Sequence, residues 1–145
     1  MQVLAQRVSS AKVCINGKTH SSINQGVLVY VCFEKDDLDN VIEKFIYKIS
    51  NFSFFKEDQN NVLLNIKELD AELMIISQFT LVAETSKGTK PSFHRAAGTE
   101  RANFLYNLLI ERLADSSIRH QSGIFGADMD VHSVNSGPVT FSFKI

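Results

Sequence analysis

Residues 27–33 read VLVYVCF, seven consecutive apolar or aromatic side chains. A run this short cannot cross a bilayer, and a run this uniform leaves no solvated face. It reads as a strand covered on both sides, the pattern of a central strand in a layered domain. Working upstream, residues 1–8 read as a first strand, residues 11–15 (AKVCI) alternate, and Asn16-Gly17 supplies a hairpin turn. Downstream, Asp36 or Asp37 is placed to cap a helix. Its Leu38, Val41, Ile42, Phe45, Ile46 and Ile49 fall on one stripe at helical spacing.

A strand near Phe52–Phe55, a polar turn at Asp58–Asn61 and a buried strand over Leu73–Leu81 follow. A second helix is expected from about Thr99 to Ala114, with Ala102, Leu105, Leu108, Leu109 and Leu113 on its apolar stripe. Two last strands are expected over roughly 124–134 and 139–145. In the second of these, Val139, Phe141, Phe143 and Ile145 alternate with Thr140, Ser142 and Lys144. Two helices against six or more strands predict an α/β fold with substantial antiparallel pairing.

The chain of 145 residues suits one core, so a single domain over 1–145 is expected. Apolar residues make up 44%, which excludes a disordered chain. The net charge of -1 gives no global pull toward nucleic acid, so a polyanion would have to meet a local basic patch. Cys14 and Cys32 sit in apolar runs and read as reduced thiols of a cytoplasmic protein. No Cys/His spacing suggests zinc, so no metal or other cofactor is expected. The first residues lack the layout of a signal peptide, and no membrane association is expected.

Three stretches have the residue types for chemistry. In ISQFTLVAE (76–84), Ser77, Gln78 and Thr80 interrupt or end a buried strand. They either present hydroxyls and backbone N–H groups to a ligand or satisfy local backbone groups as the strand leaves the core. A nucleophilic Ser or Thr would need a base, and none lies nearby in the sequence. In ETSKGTKPSFHRAAG (84–98), Lys87, Lys90, His94 and Arg95 surround Phe93. Cations and an aromatic among small residues suit a phosphate backbone and a stacked base, or simply a solvated loop. In VNSGPVTFSFKI (134–145), Gly137 has the freest backbone and Pro138 the most restricted. Pattern alone favours a trans bond there, since only about 5–6% of X–Pro bonds in folded proteins are cis.

The three stretches occur together in one family. QRVSSAKVCING (6–17), SQFTL (77–81), KGTKPSFHRAA (87–97) and GIFGADMDVHSVNSGPVT (123–140) resemble the dimeric D-aminoacyl-tRNA deacylases over essentially the whole chain. The resemblance implies a barrel-like, largely antiparallel mixed sheet with two main helices. It implies hydrolysis of the ester of D-aminoacyl-tRNA, and of glycyl-tRNA mischarged on alanine tRNA. It also implies a homodimer in which a cis Gly137-Pro138 of one subunit enters the partner's active site and excludes L side chains. Carried over residue by residue, Phe79 and Thr80 supply backbone oxyanion donors, with the Thr80 hydroxyl a possible participant. Ser77 and Gln78 shape the floor, Phe125 and Met129 join Phe79 against the adenine, and Arg7 braces the partner's Gly-Pro. Lys87, Lys90 and Arg95 meet the tRNA. The alternative is a catalytically silent tRNA- or nucleotide-binding dimer of the same fold. Cys32 departs from the family pattern, which usually has a glycine there.

Overall fold

The computed structural model describes residues 1–57, 60–86 and 88–145. Its elements are β1 (Gln2–Ile15), β2 (Lys18–Ile23), β3 (Gly26–Cys32), α1 (Val41–Asn51), β4 (Phe55–Lys56) and β5 (Leu63–Leu64). Then come β6 (Glu72–Ser77), a 3₁₀ turn (Phe79–Val82), α2 (Thr99–Ala114), β7 (His120–Ser122) and β8 (Asp130–Lys144). The hairpin at Asn16-Gly17 forms as the sequence predicts, with both residues at positive φ.

β1 organises the sheet. β2 and β3 pair with it antiparallel, Ala11 opposite Ile23 and Val8 opposite Gly26, with a register shift between Val13 and Cys14 near the hairpin end. β8 runs antiparallel along its other edge. β3, β6 and β7 then lie side by side and parallel. The sheet curls until β2 reaches β7, where the Ser21 hydroxyl donates to the Ser122 carbonyl at 2.9 Å. The result is a nearly closed, barrel-like sheet with two helices, as expected.

β3 is the central strand that its seven residues predict. Val27, Val29 and Val31 face a core shared with Phe45 and Ile49 of α1 and Leu105, Leu109 and Leu113 of α2. Leu28 faces the other way, into a second core with Val8, Val13, Met74 and Ile76 inside the curl. β6 divides in the same manner, Leu73 and Ile75 to the helices and Met74 and Ile76 to the curl. Each fully buried side chain of this size contributes about 1.5–3 kcal/mol relative to exposure. Burial on both faces explains why neither strand alternates.

Several boundaries differ from the sequence expectation. The strands expected over 1–8 and 11–15 run on as the single strand β1. The first helix starts at Val41, because the Asp37 carboxylate accepts from the Glu34 N–H at 2.7 Å and closes a turn of its own. Leu38 therefore stays outside the helix, 68% exposed. Phe52–Phe55 shrinks to the two residues of β4, paired with β5, and the polar turn beside it lies partly outside the described residues. The strand at Leu73–Leu81 stops at Ser77, where the Gln78 N–H bonds the Val31 carbonyl and the chain winds into the 3₁₀ turn. The two last strands are one, β8, while 124–129 forms a turn with the Ala127 N–H on the Ile124 carbonyl at 3.2 Å.

Candidate active site

A cavity of about 650 Å³ opens at the carboxyl ends of the parallel strands. Cys32 and Phe33 enter it from β3, Ser77, Gln78 and Phe79 from β6, and Phe125 and Met129 from the segment after β7. Open α/β sheets bind ligands at this end because parallel strands part there and leave a crevice. The volume suits a small organic ligand with a ring system.

The sequence placed Ser77, Gln78, Phe79, Phe125 and Met129 in one site, and the fold brings all five to this cavity. The Phe79 ring is 57% exposed and meets Phe93 edge to face at 4.9 Å between centroids. Phe93, noted in the sequence as the aromatic of the basic loop, thus also belongs to the wall. Met129 packs closely on the opposite side, where a Cβ on Gly123 would lie 2.6 Å from its Sδ. A side chain at 123 would oblige Met129 to shift.

The 3₁₀ turn is held by Gln78. Its Oε1 accepts from the Thr80 hydroxyl at 2.7 Å and, more weakly, from the Thr80 N–H at 3.4 Å. An amide oxygen cannot take a proton near neutral pH, so it orients the hydroxyl without activating it. Titratable side chains at the described wall are Tyr30, Cys32 and Asp128. Burial pushes the Tyr30 hydroxyl up, and burial together with nearby Glu34 pushes the Cys32 thiol up to about 11. Cys32 is a neutral thiol directed at the Phe33 and Phe79 carbonyls, each 3.5 Å away.

The remaining predicted residues lie outside the cavity. Gly137 and Pro138 belong to a bulge, in which the four residues 136–139 oppose the single residue Arg7 of β1. The Gly137–Pro138 peptide is cis, and Gly137 has φ +124°, a conformation that excludes most side chains. The Asn135 side chain fills the bulge, accepting from the Val139 N–H and donating to the Thr140 hydroxyl, both at 3.1 Å. Arg7 donates to the Ser136 carbonyl at 3.0 Å and the Phe54 carbonyl at 3.2 Å, so it braces the bulge of its own chain. It pairs with Val27, at the start of β3, whereas the cavity lies at Cys32. Five residues of strand separate the two levels, roughly 16 Å at the strand rise.

Arg95 is paired with Glu34, with Nη2 2.5 Å from the carboxylate, while its side chain stays 39% exposed. The Lys35 N–H bonds the Arg95 carbonyl, and Glu34 pairs with Ala96, so the loop is tied to the end of β3. Lys90 is exposed. Lys87 lies outside the described residues. Tyr106, on α2, stood within the helix pattern without a polar cue, and only the structure shows its buried hydroxyl bonding the Ile75 and Gly123 carbonyls, beneath the segments that line the cavity.

These features define a class: an α/β domain with a ring-sized cleft at the carboxyl ends of parallel strands, lined by amides, aromatic and small side chains and one carboxylate, Asp128. Residues 4–144 match the family described as D-Tyr-tRNA(Tyr) deacylase. The D-aminoacyl-tRNA deacylase of Finegoldia magna is 44% identical over 140 residues, covering 97% of this chain and 95% of the relative. That of Pseudoalteromonas translucida is 41% identical over 145 residues, the full length of both. Among solved structures, the c-Myc DNA unwinding element binding protein superposes with TM-score 0.93 at 33% identity, over 100% of this chain and 99% of that one. A probable eukaryotic D-amino acid tRNA deacylase shares the fold, with TM-score 0.86 at 19% identity, over 99% and 98%. This chain belongs to the D-Tyr-tRNA(Tyr) deacylase family.

Proposed function

We propose that this chain hydrolyses the ester joining a D-amino acid to the terminal adenosine of tRNA, giving free D-amino acid and tRNA. It acts in the cytoplasm, where aminoacyl-tRNA is used. It also clears glycine mischarged on alanine tRNA. The observation that carries the reading is the aromatic cavity beside the Ser77–Thr80 turn, in a chain that matches the deacylase family from end to end.

The adenine stacks among Phe79, Phe125 and Met129, which sets the ester over the turn. Water adds to the ester carbonyl, and the tetrahedral oxyanion is received by the N–H groups of Phe79 and Thr80. The carbon–oxygen bond to the ribose then breaks and the 3′-oxygen takes a proton. The Thr80 hydroxyl faces an amide oxygen, and no imidazole or amine lines the described wall, where Asp128 is the one carboxylate. Activation of water is assigned to the neighbouring 2′-hydroxyl of the substrate, and hydrolysis by Asp128→Asn at the wild-type rate is the outcome expected on that assignment.

Stereochemistry is assigned to a second copy of the chain. Gly137 and Pro138 are exposed on a bulge that lies far from their own cavity. β8 pairs β1 along one edge, and among the described residues nothing pairs its other edge. Val134 on this strand is 58% exposed. A homodimer through this region covers the strand and carries the partner's Gly-Pro to the cavity. Backbone carbonyls there would clash with an L side chain, admit a D one, and pass glycine, which has none. The Lys90 loop meets the acceptor stem, with Lys87 and Arg95 beside it.

Hydrolysis of D-tyrosyl-, L-tyrosyl- and glycyl-tRNA in EDTA tests the reading. Loss of the D and glycyl esters with the L ester spared is expected. Equal loss of D and L esters would overturn the chiral mechanism, and loss of none would overturn the hydrolase.

A further inference from the structure

Strands β6 and β7 run parallel and bonded until Gly123, whose N–H still reaches the Ile75 carbonyl at 2.9 Å. Beyond that point they part. One arm continues through Ile76 to Ser77 and Phe79, the other through Ile124 to Phe125 and Met129. The cavity is the fork between the arms. Tyr106 of α2 sits at its root. It is 2% exposed, and its hydroxyl lies 3.0 Å from the Ile75 carbonyl and 3.1 Å from the Gly123 carbonyl, the last group of each arm before they separate. Its ring also lies 5.9 Å from Phe125.

We infer that Tyr106 is a positioning residue that fixes how wide the cavity stands between its two aromatic walls. One O–H is shared by two carbonyls on different arms, so neither can move outward without losing it. Burial pushes this hydroxyl up to about 12, so it remains a neutral donor throughout the working range of the enzyme. The Ile75 carbonyl has a second donor in the Gly123 N–H. The Gly123 carbonyl is the group that depends on Tyr106, and it stands directly before the segment bearing Phe125 and Met129. Tyr106 touches neither the ester nor the water. Its effect is on the grip of the adenosine, not on the rate of bond cleavage.

The inference rests on the deacylase reading, and the experiment separates the two. Wild type, Tyr106→Phe and Tyr106→4-aminophenylalanine are compared for hydrolysis of D-tyrosyl-tRNA and for binding of adenosine 5′-monophosphate. Failure of the wild type to hydrolyse would sink the deacylase reading itself. With an active wild type, Tyr106→Phe is expected to raise KM and weaken nucleotide binding about fivefold, the equivalent of one neutral hydrogen bond, with kcat within about twofold. The amino variant, which restores a donor, is expected to recover KM. Hydrogen exchange in Tyr106→Phe is expected to quicken at 124–129 and not in β1 or β3. Ile110→Val, on the same helix, serves as the control for general loosening and is expected to leave KM unchanged. An unchanged KM in Tyr106→Phe, an equal fall in kcat, or a chain that no longer folds without the hydroxyl would each overturn the positional role.

Discussion

The Thr80 hydroxyl donates to the Gln78 side-chain oxygen at 2.7 Å, in a turn whose other side-chain contacts are the Thr80 N–H on the same oxygen and the Cys32 thiol on the Phe79 carbonyl. A nucleophile or base at Thr80 would need a proton acceptor there, and an amide is not one. Thr80→Ala is therefore expected to lower kcat for D-aminoacyl-tRNA by less than about tenfold. General base catalysis is worth about 10²–10⁴-fold, so a larger fall with intact tRNA binding would return the chemistry to the hydroxyl. Thr80→Pro is expected to cost far more, because it deletes the N–H assigned to the oxyanion. Single-turnover kinetics on the two variants separate side chain from backbone.

What the sequence made legible followed from burial and from turn chemistry. VLVYVCF announced a two-sided strand, and the helix stripes found their faces, because apolar patterning is dictated by the core that receives it. The bulge at 136–139 was not legible as a bulge. Alternation after Val139 announced a fresh strand, while the structure carries one strand through both halves with four residues looped out opposite Arg7. β7 went unseen since His120, Gln121 and Ser122 have no apolar signal, being held by pairing to Leu73, Met74 and Ile75. The cavity residues in SQFTL were found by resemblance. Cys32, Phe93 and Tyr106 took their places through long-range packing that no local pattern encodes.

Gly137 is constrained twice. Its φ of +124° disfavours any side chain, and a Cβ there would lie 2.6 Å from Arg7 Nη2 and 2.9 Å from Val139 Cγ2. Gly137→Ala is expected to cost about 1–3 kcal/mol in backbone strain and to loosen Arg7 from the Ser136 carbonyl. A lowered Tm and a reduced ratio of D to L turnover would be the signature. Unchanged Tm and unchanged discrimination would show that the bulge tolerates a side chain and does not set the stereochemistry.

Lys90 and Arg95 are expected to separate under salt. Lys90 is exposed, whereas Arg95 is engaged with Glu34. Lys90→Ala is expected to lower the salt slope of tRNA binding by about 1 and leave Tm unchanged. Arg95→Ala is expected to lower Tm as well, since it releases the loop from β3. A salt slope unaltered in Lys90→Ala would remove that lysine from the tRNA footprint.

The same ion pair makes stability sensitive to acid. Burial alone would raise the Glu34 carboxyl, but the hydrogen bond from Arg95 and the Met1 ammonium 3.5 Å away overcome it, and the net shift is downward from 4.5. A carboxyl depressed in the folded state stabilises the fold above its unfolded value, and that contribution disappears as pH falls through the lower folded value. Stability is therefore expected to hold from neutrality to about pH 5 and to decline below it. In Glu34→Gln the decline is expected to be shallower, from a lower starting Tm, because the neutral amide has no charge to lose. Thermal melts of both proteins between pH 3 and pH 7 test this. Parallel Tm curves across that range would show that Glu34 contributes nothing to the acid limb.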